Sequence, residues 1–150
     1  MKKNIVICDI DGTITKVGDR TKYIKTDPKD WDAFYAACGE DKPNQSIIDL
    51  LLFLSKNCTI VFFSGRRESC RAKTEKWIEA HFPKSFKYVG LAMRSDGDGR
   101  PDVEVKPEFL DGIPDYDKKR ILCFIEDRTC MVKKWRELGY TCLQVADGDY

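Results

Sequence analysis

The sequence predicts an α/β fold: a doubly wound parallel five-stranded sheet in a single domain covering 1-150, with a small insertion after strand 1 and no full cap domain. Three observations carry that expectation. Five short β-rich segments recur along the chain, helical periodicity occupies the stretches between them, and several segments are continuous apolar runs, as in parallel strands buried on both faces. Strands that alternate with helices close through right-handed crossovers, which cover both sides of the sheet.

The first strand, Asn4 to Cys8, runs into the turn sequence Asp9-Ile10-Asp11-Gly12-Thr13. A polar insertion of about 15-44 then interrupts the alternation, and Asp27-Pro28 reads as the cap of a short helix over Pro28 to Cys38. Ile47, Leu50, Leu51 and Leu54 fall at i, i+3, i+4 and i+7, which predicts an amphipathic helix. The second strand, Cys58 to Phe63, leads into Ser64-Gly65-Arg66. Thr74, Trp77, Ile78 and His81 repeat the helical spacing, which assigns Trp77 and His81 to structure rather than to base stacking or catalysis. A third strand, Lys87 to Ala92, precedes the charged, glycine-containing loop from Arg94 to Pro101. The fourth, Arg120 to Ile125, ends in Glu126-Asp127. Met131, Trp135 and Leu138 mark a third helix, with Trp135 in the core and Gly139 as its stop, before a last strand from Thr141 to Val145.

At 150 residues the chain can bury roughly 70% of the surface its unfolded form exposes, enough for its own core. No apolar run is long enough to span a bilayer, so no membrane partner is expected. Only five residues separate the two amino-terminal lysines from the first carboxylate, too few for a signal segment, so a cytoplasmic location is expected. The seven cysteines are odd in number and form no CxxC pair, which argues against a zinc site and for reduced, buried thiols. A formal net charge of +1 excludes a globally basic nucleic-acid binder but not a local basic groove.

In open α/β sheets ligands sit beyond the carboxyl ends of the strands. Four groups with phosphate chemistry gather there: Asp9 and Asp11 after the first strand, Ser64-Gly65-Arg66 after the second, Lys106 beyond the third, and Glu126-Asp127 after the fourth. Carboxylate oxygens are hard ligands suited to magnesium, while a hydroxyl, an ammonium and a guanidinium fork suit phosphate oxygens. Arg66, Arg94 and Arg100 are candidate substrate contacts, with solvated charge as the alternative. Asp102 lies four residues before Lys106 and either orients it or caps a helix. Trp31, Phe34 and Tyr35 either pack the insertion down or contact substrate.

The order DIDGT, Ser64, Lys106, Glu126-Asp127 resembles the haloacid dehalogenase-like phosphatase superfamily over the whole chain. The match is closer to the 3′-phosphatase domain of phage polynucleotide kinase. It is carried by FSGR at Phe63 to Arg66, Lys76-Trp77, the run Arg94, Arg100, Asp102, Lys106, then Glu126-Asp127-Arg128-Thr129, Trp135-Arg136, and the ending Gln144-Val145-Ala146 with Gly148-Asp149. The resemblance implies a Rossmann-like sheet, an aspartyl-phosphate formed on Asp9, and Asp11 as general acid and base. It implies Mg2+ held by Asp9, the Asp11 carbonyl, Glu126 and Asp127, with Ser64, Thr13 and Lys106 on the transferring oxygens and Gly65 beside them. This sequence departs from the phage domain in having Glu126 where that domain has a second aspartate.

The expected reaction is phosphomonoester hydrolysis at a phosphorylated nucleic-acid end. No GxxxxGK[ST] loop is present, so no kinase activity is expected of these 150 residues. The near-neutral charge keeps a second reading open, a small-molecule phosphatase for nucleoside monophosphates with the insertion as lid. A third, a phospho-accepting binding domain, is disfavoured because Asp11 equips the site for turnover. A site this little capped is also consistent with a homo-oligomer whose neighbour covers it.

Overall fold

The computed structural model describes residues 1–148; Asp149 of the carboxyl-terminal motif lies outside the described residues. The chain forms β1 (Ile5–Cys8), then a two-residue strand β2 (Thr15–Lys16), helix α1 (Trp31–Ala36) and β3 (Lys42–Pro43). Helix α2 (Gln45–Leu54), β4 (Thr59–Arg67), α3 (Arg71–His81) and β5 (Gly90–Arg94) follow. Two short helices, α4 (Asp102–Glu108) and α5 (Asp115–Lys118), lead to β6 (Ile121–Glu126), α6 (Thr129–Glu137) and β7 (Cys142–Gln144).

The main sheet has five parallel strands in the order β5-β4-β1-β6-β7. From the central β1 the chain steps to β4 and β5 on one side, then returns to β6 and β7 on the other. Connections leaving β1 and β6 therefore run in opposite directions, and the crevice between their carboxyl ends is the binding position of such sheets. The all-apolar IVIC of β1 suits this centre because both of its faces are covered. Val6 and Cys8 join one core with Ile48 and Leu51 of α2 and Trp77 and Ile78 of α3. Ile5 and Ile7 face the other, with Met131, Val132 and Trp135 of α6, where Trp135 stacks on Phe124 at 4.0 Å. Trp77 and Trp135 are 3% and 1% exposed, as core residues should be, and His81 stacks on Trp77 at 4.1 Å.

Several boundaries differ from the sequence expectation. The second strand runs on through Ser64, Gly65 and Arg66 to Arg67, because β5 keeps pairing with it past a register shift between Ser64 and Arg67. The third strand begins at Gly90 rather than Lys87 and ends at Arg94. Helix α1 starts at Trp31, capped by Asp30, whose side chain accepts from the Ala33 amide at 2.9 Å; Asp27-Pro28 is instead a cis peptide in the preceding loop. The insertion is closed at its base by the antiparallel pair β2 and β3, a register too short to show in sequence periodicity. Leu138 lies past the end of α6 and is exposed, and Gly139 at φ +87° reverses the chain there. All seven cysteines are free; five are buried, while Cys58 is partly exposed and Cys130 exposed.

Candidate active site

Asp9 leaves β1 with its amide still bonded to the Ile125 carbonyl at 2.9 Å, so it sits beside the end of β6. Its Oδ1 accepts from Lys106 Nζ at 2.6 Å and its Oδ2 from Thr13 Oγ1 at 3.1 Å. Lys106 also donates to Glu126 Oε2 at 3.0 Å. Gly12, at φ +79°, supplies the left-handed turn that brings Thr13 back under Asp9.

Asp9, Glu126 and Asp127 present oxygens within 4.8 Å of one another, all buried. One ammonium faces three carboxylates. Glu126 Oε1 and both Asp127 oxygens have no hydrogen-bond donor. Burial, reinforced by Glu126, pushes the Asp9 carboxyl well above the usual range, and burial with Glu126 lifts Asp127 to about 8. Burial opposes the Lys106 ammonium, but Asp9 and Glu126 more than compensate and raise its pKa. Buried acceptors without donors are rare in native proteins, and this set of hard oxygens fits a magnesium ion.

Asp11 stands two residues on, where Arg66 donates to its Oδ1 through Nε at 2.9 Å and Nη2 at 2.7 Å, and Arg20 through Nη2 at 2.5 Å. Burial alone would raise the Asp11 carboxyl, but the two guanidinium groups reverse that and bring it to about 2. Asp41, at the foot of the insertion, accepts from Arg20 Nε at 2.7 Å and Nη2 at 2.6 Å, and from Arg66 Nη2 at 3.1 Å. Two arginines and two aspartates thus lock the insertion onto the strand ends. The Arg20 guanidinium also lies 4.2 Å from the centroid of the Phe34 ring, within the small apolar cluster of Val17, Ile24 and Phe34.

A cavity of about 300 Å³ opens above Asp9, Asp11 and Lys106. Gly65 forms part of its wall, and the Gly65 carbonyl accepts from Tyr35 Oη at 3.2 Å and Arg94 Nε at 3.0 Å. Arg94 further donates to the Asp98 and Arg100 carbonyls and to Asp102, whose other oxygen accepts from Arg128 at 3.0 Å. Arg100 lies on the rim, paired with Asp98 and Glu108.

The structure brings Asp9, Asp11, Thr13, Glu126 and Asp127 together beyond the ends of β1 and β6, and α4 carries Lys106 to the same point. Two readings need correction. Arg66 is fully buried and its guanidinium serves Asp11, Asp41 and Thr74 rather than the cavity, because the strand continues through it and turns its side chain inward. Asp102 holds Arg94 and Arg128 and makes no hydrogen bond to Lys106, whose ammonium reaches Asp9 and Glu126 instead. Arg94 braces the wall with every nitrogen of its guanidinium engaged. Ser64 is fully buried, with its Oγ accepting from the Arg66 amide at 3.1 Å. Arg20 and Asp41 were not identified from sequence, and Arg128 entered only as part of the resemblance, with no role assigned. Arg20 and Asp41 are polar residues in a polar stretch, and no local pattern marks them.

A doubly wound sheet carrying this acidic strand-end cluster and lysine defines a phosphatase of the haloacid dehalogenase type. Over residues 3–150 the chain matches the family described as the polynucleotide kinase PNKP phosphatase domain, and it belongs to that family. It is 32% identical over 137 residues to a putative bifunctional polynucleotide kinase/RNA ligase of Autographa californica nuclear polyhedrosis virus, covering 89% of this chain and 18% of the relative. Among solved structures it resembles a chain of the Pnkp1/Rnl/Hen1 RNA repair complex, at 29% identity and a TM-score of 0.80, covering 99% of this chain and 44% of that one. A class C acid phosphatase from Bacillus anthracis shares the fold at 20% identity and a TM-score of 0.66, over all of this chain and 69% of the other. The chain thus spans less than half the length of the viral relative and of the repair-complex chain. No helix among the described residues is long and apolar enough to cross a membrane.

Proposed function

We propose that this phosphatase domain is a magnesium-dependent polynucleotide 3′-phosphatase that works through an aspartyl-phosphate on Asp9. The observation that carries the reading is the donorless carboxylate set of Glu126 and Asp127 beside Asp9, which itself lines a cavity with Asp11 and Lys106. Kinship to proteins of polynucleotide end repair supports the choice of substrate.

Asp9, Glu126, Asp127 and the Asp11 carbonyl would hold the cation. When bound, it supplies positive charge that screens the phosphate from the carboxylates around it. An Asp9 oxygen attacks phosphorus as the bond to the sugar 3′ oxygen breaks, and Asp11 delivers a proton to that leaving oxygen. Water then attacks the acyl phosphate, gives its proton to Asp11, and inorganic phosphate departs with Asp9 restored. Lys106 keeps Asp9 aimed and adds positive charge next to the transferring oxygens. The arginines hold Asp11 ionised in the free protein, the form that accepts a proton from water; a phosphate dianion brought alongside raises its proton affinity, so that Asp11 takes from solvent the proton it delivers in the first step and returns to solvent the one it gains in the second.

The net charge of +1 favours the second reading, hydrolysis of nucleoside monophosphates. Turnover of 3′-phosphorylated DNA and RNA oligonucleotides against free mononucleotides, with magnesium, decides between them. Release of phosphate from the mononucleotides alone would reject the polynucleotide reading.

A further inference from the structure

One wall of the cavity comes from the insertion and has no part in the chemistry above. Trp31, the first residue of α1, is 40% exposed and lines the same cavity as Asp9, Asp11 and Lys106. Its neighbours hold it: Tyr35 stacks on it at 6.1 Å and 25°, and Phe34 meets it edge-on at 5.7 Å. Tyr35 is itself tied to β4 through the Gly65 carbonyl, and the Asp30 cap fixes the start of the helix. Phe34, three residues on, is 4% exposed within the insertion's own core, so the insertion has an apolar interior that the indole does not enter. A braced aromatic face left open to a cavity is a stacking surface.

Two cations flank this face. Lys29 Nζ lies 5.5 Å from the Trp31 centroid, and the Arg67 guanidinium lies 5.0 Å from that of Tyr35; both line the cavity. Arg67 pairs with Asp32 at 2.5 Å, but Asp32 is 89% exposed, and such surface pairs are weak enough to exchange for a phosphate. A nucleotide within a chain has the matching form, a flat base between two phosphates.

We propose that Trp31 stacks on the base of the 3′-terminal nucleotide while Lys29 and Arg67 take the phosphate on its 5′ side. The proposal rests on the polynucleotide 3′-phosphatase reading. Every base offers a π-face, so the subsite recognises that a base is present without selecting which one.

The test uses two 3′-phosphorylated oligonucleotides of identical leaving group, one with a base on its terminal sugar and one abasic there. The wild-type chain is expected to show a KM about ten-fold lower for the base-bearing substrate. Trp31→Ala should collapse that ratio to near one, and Trp31→Phe should restore most of it. A second arm compares a nucleoside 3′-monophosphate with the 3′,5′-bisphosphate; Lys29→Ala with Arg67→Ala should raise KM for the bisphosphate selectively. A base-to-abasic ratio equal in wild type and Trp31→Ala, or a loss of equal size on both oligonucleotides, overturns the stacking assignment alone. Wild-type turnover of glycerol phosphate with neither oligonucleotide hydrolysed overturns the polynucleotide reading and this subsite with it.

Discussion

Arg66 places both Nε and Nη2 on one carboxylate oxygen of Asp11, at 2.9 and 2.7 Å, across 55 residues of sequence. That fork, joined by Arg20 from the insertion, fixes the orientation of the proposed proton carrier before substrate arrives. A lysine offers a point charge and cannot reproduce the two bonds that converge on that oxygen in the same plane. Arg66→Lys is expected to lower kcat about ten-fold or more with little change in KM, read by steady-state kinetics; Asp11→Asn should lower it by about 10² or more. Turnover by Asp11→Asn at the wild-type rate would remove Asp11 from the mechanism.

Among the described residues, Asp9 is the only carboxylate held by both Lys106 and Thr13. If it is the nucleophile, acid-quenched wild-type protein turning over substrate should carry one added phosphate on the peptide containing Asp9, seen by mass spectrometry. Asp9→Asn should carry none and release no phosphate. A phosphopeptide that persists in Asp9→Asn would place the covalent step elsewhere.

The donorless oxygens of Glu126 and Asp127 predict a specific response to metal. Magnesium at about 100 times its dissociation constant should stabilise the chain by roughly 2.7 kcal/mol, a rise of about 5 to 10 °C in Tm. Asp127→Asn removes one of three crowded carboxylates, so without metal it should melt above the wild type, and with metal it should lose the shift. Thermal melts with EDTA and with magnesium read both effects, and an Asp127→Asn variant that keeps the full shift would rule its carboxylate out as a ligand.

Gly148 lies against the same cluster. A Cβ at that position would stand 2.1 Å from Asp127 Oδ2 and 2.9 Å from the Arg128 amide, so the buried Asp127 carboxylate must move while the backbone amide blocks the other side. Gly148→Ala is therefore expected to shrink the magnesium-induced rise in Tm while far-ultraviolet circular dichroism stays that of the folded chain. An unchanged magnesium response would show that the carboxyl-terminal turn has no hold on Asp127.

Trp135 is 1% exposed and stacks on Phe124 against the central sheet. Trp135→Ala should cost about 3 to 5 kcal/mol in urea unfolding, through lost burial and the cavity left behind. A loss below about 1 kcal/mol would mean that α6 repacks freely, contrary to its tight fit here.

The alternation of apolar strands with 3.6-residue stripes was enough to place the five strands and three main helices, because burial on both faces or on one stripe is written into adjacent residues. The clustered carboxylates could be read for the same reason: Asp9 follows the apolar run of β1, and Glu126-Asp127 close that of β6. Boundaries that depend on a neighbour could not be read this way. The continuation of β4 to Arg67 is set by pairing with β5, and the β2–β3 closure has two residues a side.

The sequence by itself determined the α/β class, the core positions of Trp77 and Trp135, and the acidic and lysine residues that meet at one sheet edge. Only the tertiary structure decided that Arg66 turns inward to Asp11, that Arg20 and Asp41 come from the insertion to meet it, and that Trp31 is left facing the cavity while Phe34 is buried. Periodicity and turn chemistry act between residues a few positions apart. The partner of a charged side chain is chosen among groups that only the packed sheet and insertion bring within reach, and a buried guanidinium takes whichever carboxylate compensates its lost water.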